Sequence, residues 1–283
     1  MSANRLPARR SIDGNAADGF AARRIAECGM ASLDRRRFLA GLASAGLLFL
    51  TRRARALGDL SKLRFVRLRF ADLPDPRPTA LRRLAWEVER RTSLVTIPDP
   101  LELPIASPDL FRYPLCLLSG DHGFAMPSDS DVVRLRRYLT FGGCLLIDSA
   151  EGRAGGAFDE SVRKLLAQVL PGDIPKRVPD DHVLWKSFYI LHDVPGRLLA
   201  SPILECVERD RRLAVIYTQN DLCGALARDG FGRWEHDVVP GGEDQRERAF
   251  RFAVNVVMYA FCLDYKTEQA HIDFIMRTRR ARP

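Results

Sequence analysis

Four short polar stretches carry the side chains able to do acid, base or metal chemistry. They are Ser119-Gly120-Asp121-His122-Gly123, Asp148-Ser149-Ala150-Glu151, Asp180-Asp181-His182 and Thr218-Gln219-Asn220-Asp221. Three of them follow directly on apolar runs: LCLL at 115–118, CLLI at 144–147 and LAVIY at 213–217. Carboxylates and imidazoles delivered to one edge suit two kinds of chemistry. One is coordination of a divalent cation, with Asp121, Asp148 and His182 as candidate ligands. The other is hydrogen bonding to a small polar ligand or glycan through Asp121, His122, Asp148, Ser149, His182, Asn220 and Asp221. Each acid also has a purely structural use, because an Asp at a strand end commonly caps the next helix or organises a turn. No cofactor is identifiable: Glu151-Gly152-Arg153-Ala154-Gly155-Gly156 is glycine-rich but has neither G-K-[ST] nor G-x-G-x-x-G.

The elements that must position these residues alternate between strand and helix. FVRLRF at 65–70 has period two and reads as a first strand. Thr79 can cap a helix to Arg91, with Leu81, Leu84, Ala85 and Val88 on one face. Leu94 to Ile97 reads as a short strand, followed by a Pro-rich connection to Pro114. LCLL and CLLI are continuous apolar strands of the kind covered on both faces. Ser128-Asp129-Ser130-Asp131 has the form of a capping box, and its helix ends at Gly142-Gly143. Phe158 to Leu170 is the clearest amphipathic helix, stopped by Pro171-Gly172. LAVIY is another core strand, and Glu243 to about Arg279 reads as helix. Its apolar part, Phe250 to Leu263, is fourteen residues, too short to span a bilayer that needs about 20. The pattern predicts a single three-layer α/β domain with a mostly parallel sheet and helices on both faces. In such folds ligands bind outside the carboxyl ends of the strands, where these polar stretches fall.

The stretch LDRRRFLAGLASAGLLFLTRRARALG, residues 33–58, has a different logic. Its apolar run, Phe38 to Leu50, is thirteen residues, which excludes a stable transmembrane anchor of about 20. A basic region, a short apolar region and the triplet Ala54-Arg55-Ala56 make a removable export peptide, with cleavage after Ala56. Asp34-Arg35-Arg36-Arg37-Phe38-Leu39 resembles the twin-arginine signal, with Arg35 and Arg36 as the pair. The expected partner is the twin-arginine translocation machinery and the expected location periplasmic or exported. Residues 1–29 lengthen this leader beyond the usual, and Met30 would give a more ordinary start. Residues 1–56 hold eleven arginines against four acids, seven of the chain's eight net positive charges. The remaining domain, 57–283, is close to neutral, so the charge gives no reason to expect nucleic acid. Five of the six cysteines lie in that domain, with no C-x-x-C and no metal-ligand spacing. Cys116, Cys144 and Cys262 sit in apolar runs and are expected as buried thiols.

A set of residues in order resembles a known family. Phe111-Arg112-Tyr113-Pro114 leading to Leu118-Ser119-Gly120, Leu135-Arg136-x-Tyr138-Leu139, Gly142-Gly143-x-Leu145-x-x-Asp148, Asp181-His182, Asn220-Asp221-Leu222 and Asn255-x-x-x-Tyr259-Ala260 look like the bacterial domain of unknown function 4159. The resemblance runs from about 65 to 280. It implies a fold similar to class I glutamine amidotransferase-like domains, of the flavodoxin-like layered type, and no particular reaction. Amidotransferases present a Cys nucleophile on a strand-to-helix elbow. The corresponding elbow after CLLI holds Asp148-Ser149, and Cys144 stands too early, within the strand, so glutamine amidotransferase activity is not expected. A serine version would pair Ser149 with His182, but the G-x-S-x-G context is missing.

Two readings of function follow from the residues. The first is an exported, non-catalytic domain that binds a small polar ligand, a glycan or a protein partner at the strand ends. The second is a periplasmic hydrolase, metal-assisted or not, using the same Asp/His cluster. The first is preferred because no complete set of nucleophile, base and oxyanion donor can be assembled.

Overall fold

A computed structural model describes residues 62–70 and 73–280, with side chains described as far as residue 261. The expected leader, its cleavage site, the Met30 start and the state of Cys262 lie outside the described residues. The strands are β1 (Leu63–Arg69), β2 (Thr96–Pro104), β3 (Leu115–Gly120), β4 (Cys144–Ser149), β5 (Lys176–Arg177), β6 (Glu205–Arg209) and β7 (Arg212–Thr218). The helices are α1 (Ala80–Arg91), α2 (Asp129–Thr140), α3 (Ala157–Val169), α4 (Leu222–Leu226) and α5 (Gly242–Arg280). One seven-stranded sheet has the order β2-β1-β3-β4-β7-β6-β5. The pairs from β2 through β7 are parallel, and β6 and β5 add antiparallel steps at one end.

Alternation along the strands sorts side chains into two cores. Leu115, Leu117, Cys144, Leu146 and Ile216 face one side, where α1, α4 and α5 cover them. Cys116, Leu118, Leu145, Ile147, Val215 and Tyr217 face the other, covered by α2 and α3. Full burial of each large apolar side chain contributes roughly 1.5–3 kcal/mol. Four helices begin within a residue of where the sequence places them, but α4 was not expected, and the Thr79 hydroxyl does not cap α1 because it donates to Glu235 instead. The Ser128 hydroxyl accepts the Asp131 amide at 3.2 Å and caps α2.

The sheet departs from expectation at its margins. The expected strand 94–97 shares only Thr96 and Ile97 with the observed nine-residue edge strand β2, which runs on through Pro98, Pro100 and Pro104 where a connection was expected. Proline lacks the ladder donor, which an edge strand tolerates because one side pairs with nothing. The β6–β7 hairpin was not expected, because Glu205–Arg209 (ECVER) mixes charge with apolar residues. Its type I′-like turn places Asp210 and Arg211 at positive φ, 50° and 63°. Cys116, Cys144, Cys206 and Cys223 are buried free thiols. No helix among the described residues is long and apolar enough to cross a membrane.

The chain reverses its direction across the sheet at β1, passing outward to β2 and then back beyond β1 to β3. Loops leaving β1 and β3 therefore separate, which opens a crevice at their carboxyl ends.

Candidate functional site

Asp148 on β4 is the register partner of both Ser119 on β3 and Thr218 on β7. Arg67, paired with Leu117, shares their face of the sheet. All four are buried, so the apolar face under α4 ends in a polar patch at the carboxyl edge. A buried carboxylate needs partners, and α4 supplies them. The amides of Leu222 and Cys223 donate to the two Asp148 oxygens at 2.8 and 2.7 Å. The first turn of α4 thus spends its unpaired donors on Asp148.

Asp221 makes the turn from β7 into α4 with φ 51° and ψ 59°, the left-handed region that Asp tolerates better than most residues. Its amide donates to the Ser149 carbonyl at 3.0 Å, tying the ends of β4 and β7 together. Its carboxylate, fully buried, accepts the Gly224 amide at 3.0 Å. Arg77 closes a two-point salt bridge on it, and Arg197 Nε forms a further contact. Beside it, Asn220 donates to the carbonyls of Val194 and Ser201 at 2.7 and 2.8 Å and accepts the Ser201 amide at 2.7 Å. The segment 194–201 is thereby stitched across the strand end. Gly196 is needed there, since a Cβ would lie 2.1 Å from the Asn220 carbonyl oxygen.

Electrostatics follow from this packing. Burial, and then the neighbouring charge of Asp221, push the Asp148 carboxyl up to about 7, against the stabilising amides of Cys223 and Leu222. Burial and the nearby Asp148 charge hold the Cys223 thiol well above its ordinary range. Arg77 is held above its ordinary value: burial opposes its charge, and the Asp221 carboxylate more than compensates. His236 is pulled down by burial and by Arg77, and it also feels Asp221 and Arg197.

The residues expected from the sequence are divided among three places. Asp148, Ser149, Asn220 and Asp221 meet in the buried junction just described. Asp121 and His122 form an exposed pair, with Nδ1 and Oδ1 2.6 Å apart. His182 lies elsewhere. Its Nδ1 accepts the Leu184 amide at 3.1 Å, and its ring packs on Tyr259 with centroids 5.4 Å apart. The Tyr259 hydroxyl accepts the Leu213 amide at 2.8 Å, at the start of β7. About five residues of strand, roughly 16 Å, separate that end from the Asp148 edge. Asp121, Asp148 and His182 are accordingly not gathered as ligands, nor Ser149 and His182 as nucleophile and base. Among the described residues no group of three His, Cys, Asp or Glu side chains is arranged to hold a metal.

Arg77 and Arg197 escaped the sequence reading. Arg77 and Arg197 stand in Pro- and Gly-rich turns, where no periodicity marks a buried cation. Outside the junction, the crevice at the carboxyl end of β1 and the segment that leaves β3 holds a cavity of about 480 Å³, which also touches Pro104 at the end of β2 and Ile105 and Ala106 just beyond it. Arg69, Phe70, Phe124, Met126, Ser128 and Asp131 are among its lining residues. The Ser128 hydroxyl is engaged in capping α2, and among the described residues no imidazole or thiol lines the space.

Residues 63–261 match a family model described as "Domain of unknown function (DUF4159)". No curated protein matches the chain.

Proposed function

The chain belongs to the DUF4159 family, and we propose from its own geometry that it is an exported, non-catalytic binding domain whose ligand sits at the carboxyl edge of the sheet. One observation carries this reading: the two strand-end acids best placed for chemistry are sealed and saturated. Asp148 accepts two backbone amides and Asp221 is clasped by two arginines and an amide. A general acid or base has to reach the proton it moves, and both carboxylates are fully buried. They build the floor of the edge.

The β1/β3 crevice is the ligand site in this reading. Its wall offers Phe70, Phe124 and Met126 for apolar contact and Arg69 and Asp131 for orientation, a mixture suited to a small polar ligand, a glycan or a side chain of a protein partner. Export rests on the Arg35-Arg36 pair, the short apolar run and Ala54-Arg55-Ala56. Such a route carries the domain already folded.

The test is a comparison of two variants of the protein beginning at residue 57. In a thermal-shift screen of sugars and small polar molecules, Arg69→Ala is expected to abolish a ligand-induced shift that Asp148→Asn retains. Turnover of any screened ester, amide or glycoside that disappears in Asp148→Asn would overturn the reading in favour of a hydrolase. Copurified metal near one equivalent that is lost in Asp148→Ala would do the same.

A further inference from the structure

A second cavity, of about 620 Å³, lies between the first turns of α1 and the turn that follows α4. Its lining includes Thr79, Arg82, Arg83 and Trp86 on one side and Arg228 and Asp229 on the other. Three cations therefore face one acid, and that acid is occupied. Asp229 accepts the amides of Phe231 and Arg233 at 2.9 and 2.8 Å and the Arg233 Nε at 2.9 Å, so its charge is spent on its own turn. Glu235 stands at the margin, where its carboxylate accepts the Thr79 hydroxyl at 2.9 Å.

The arginines are held in a particular way. The Arg228 guanidinium lies 3.8 Å over the Trp234 ring, and Arg83 lies 4.0 Å over Trp86. A guanidinium laid flat on an indole keeps its in-plane N–H edge free for a planar or tetrahedral oxyanion. The Nε atoms of both residues are buried without a hydrogen-bond partner, which leaves the terminal amino groups as the donors that can reach the space. Arg82 is engaged by Asp99 and Arg83 by Glu87, while Arg228 makes no ion pair among the described residues. Burial, and then the like charge of Arg228, hold Arg83 below its ordinary value against the attraction of Glu87.

The helix adds to this imbalance. The first turn of α1 contains no acid and two arginines, the reverse of what the positive end of a helix favours. An anion in the cavity would answer the turn's own donors and the arginines together. Trp86, which lines the cavity, leaves 45% of its surface exposed. An apolar ring in that position suits the organic part of a ligand.

We propose that this cavity is a binding site for a small organic phosphate, with Arg82, Arg83 and Arg228 holding the phosphate and Trp86 touching its organic group. The site is separate from the β1/β3 crevice and does not depend on what that crevice binds.

The experiment is calorimetric titration of the protein beginning at residue 57 with inorganic phosphate and with phenyl phosphate, at constant ionic strength, with acetate as the control anion. Arg228→Gln is expected to weaken both phosphates about tenfold, the loss of a charge-assisted contact. Trp86→Ala is expected to weaken phenyl phosphate more than inorganic phosphate. Arg228 leaves no carboxylate unpaired when replaced; should that variant nevertheless fail to fold, the exposed Arg82→Gln serves in its place. Equal affinity in the arginine variant and the parent protein, equal response to acetate, or no saturable heat up to about 10 mM phosphate would overturn the proposal.

Discussion

Arg77 and Asp221, 144 residues apart in sequence, meet in a two-point salt bridge, with Nε 3.1 Å from Oδ1 and Nη2 2.7 Å from Oδ2. The pair fastens the turn before α1 to the turn before α4, and Arg197 brings a third segment to the same carboxylate. Three loops that leave different strands are thus held by one fully buried charge.

Removing one cation from such a site leaves the acid partly uncompensated. Arg77→Ala is expected to lower the unfolding free energy by about 2–4 kcal/mol, at the scale of breaking a buried ion pair. Arg77→Lys should recover only a fraction, because an ammonium cannot reproduce the two-point geometry. Urea denaturation measures both, and a loss below about 0.5 kcal/mol, the range of ordinary surface changes, would mean that Arg197 alone suffices.

Asp148 gives the fold a pH dependence of definite sign. Its carboxyl is raised to about 7 in the folded chain and titrates near 3.9 when unfolded. Between those values the folded state binds the extra proton, so this contribution to stability is full below about pH 4, falls as pH rises, and is gone above about pH 7. His182 and His236, both lowered mainly by burial, act oppositely and cost stability as pH falls below about 6.5. The difference between the parent protein and Asp148→Asn isolates the carboxyl. From pH 5 to pH 8 the parent should lose on the order of 1–3 kcal/mol relative to the variant. A constant difference across that range in denaturant melts would refute the assignment.

The thiols should be silent in the native protein. Burial raises Cys116 and Cys144 to about 12 and Cys206 to about 11, and Cys223 well above its ordinary value. Only the thiolate is a good nucleophile. Maleimide labelling at neutral pH, read by peptide mass spectrometry, should leave these four unmodified until denaturant is added. Native labelling of Cys223 would reopen thiol chemistry at the Asp148 junction.

The proposed leader has its own test. Residues 30–60 fused to a reporter should direct its export, and replacing Arg35 and Arg36 with lysines should abolish it. Undiminished export of the lysine variant would remove the twin-arginine reading.

Much of this architecture can be read from patterns that depend on near neighbours. The Ser128 cap, the apolar stripe of α3 and the runs LCLL, CLLI and LAVIY each announce an element through local spacing. β2 is harder to read because its prolines argue against a strand unless its edge position is known. β6 is obscured because its charges meet partners supplied by other elements, as Glu205 meets Arg163 from α3. The site divides in the same way. Asp148 and Asp221 are visible because acids end apolar strands, whereas Arg77 and Arg197 become relevant only once distant turns converge. His182 misleads because an Asp-His pair looks reactive in one dimension, and only the contact with Tyr259 places it at the opposite end of the sheet.

The proline-bearing strand β2 has a consequence for association. At one end of the sheet order, Pro98, Pro100 and Pro104 deprive the edge strand of three backbone donors, which blunts it for pairing with another chain. At the other end, β5 is two residues long. Neither margin is a good template for β-augmentation, so a protein partner would engage side chains of helices and loops, and the folded domain can accumulate with little tendency to join edge to edge into fibres.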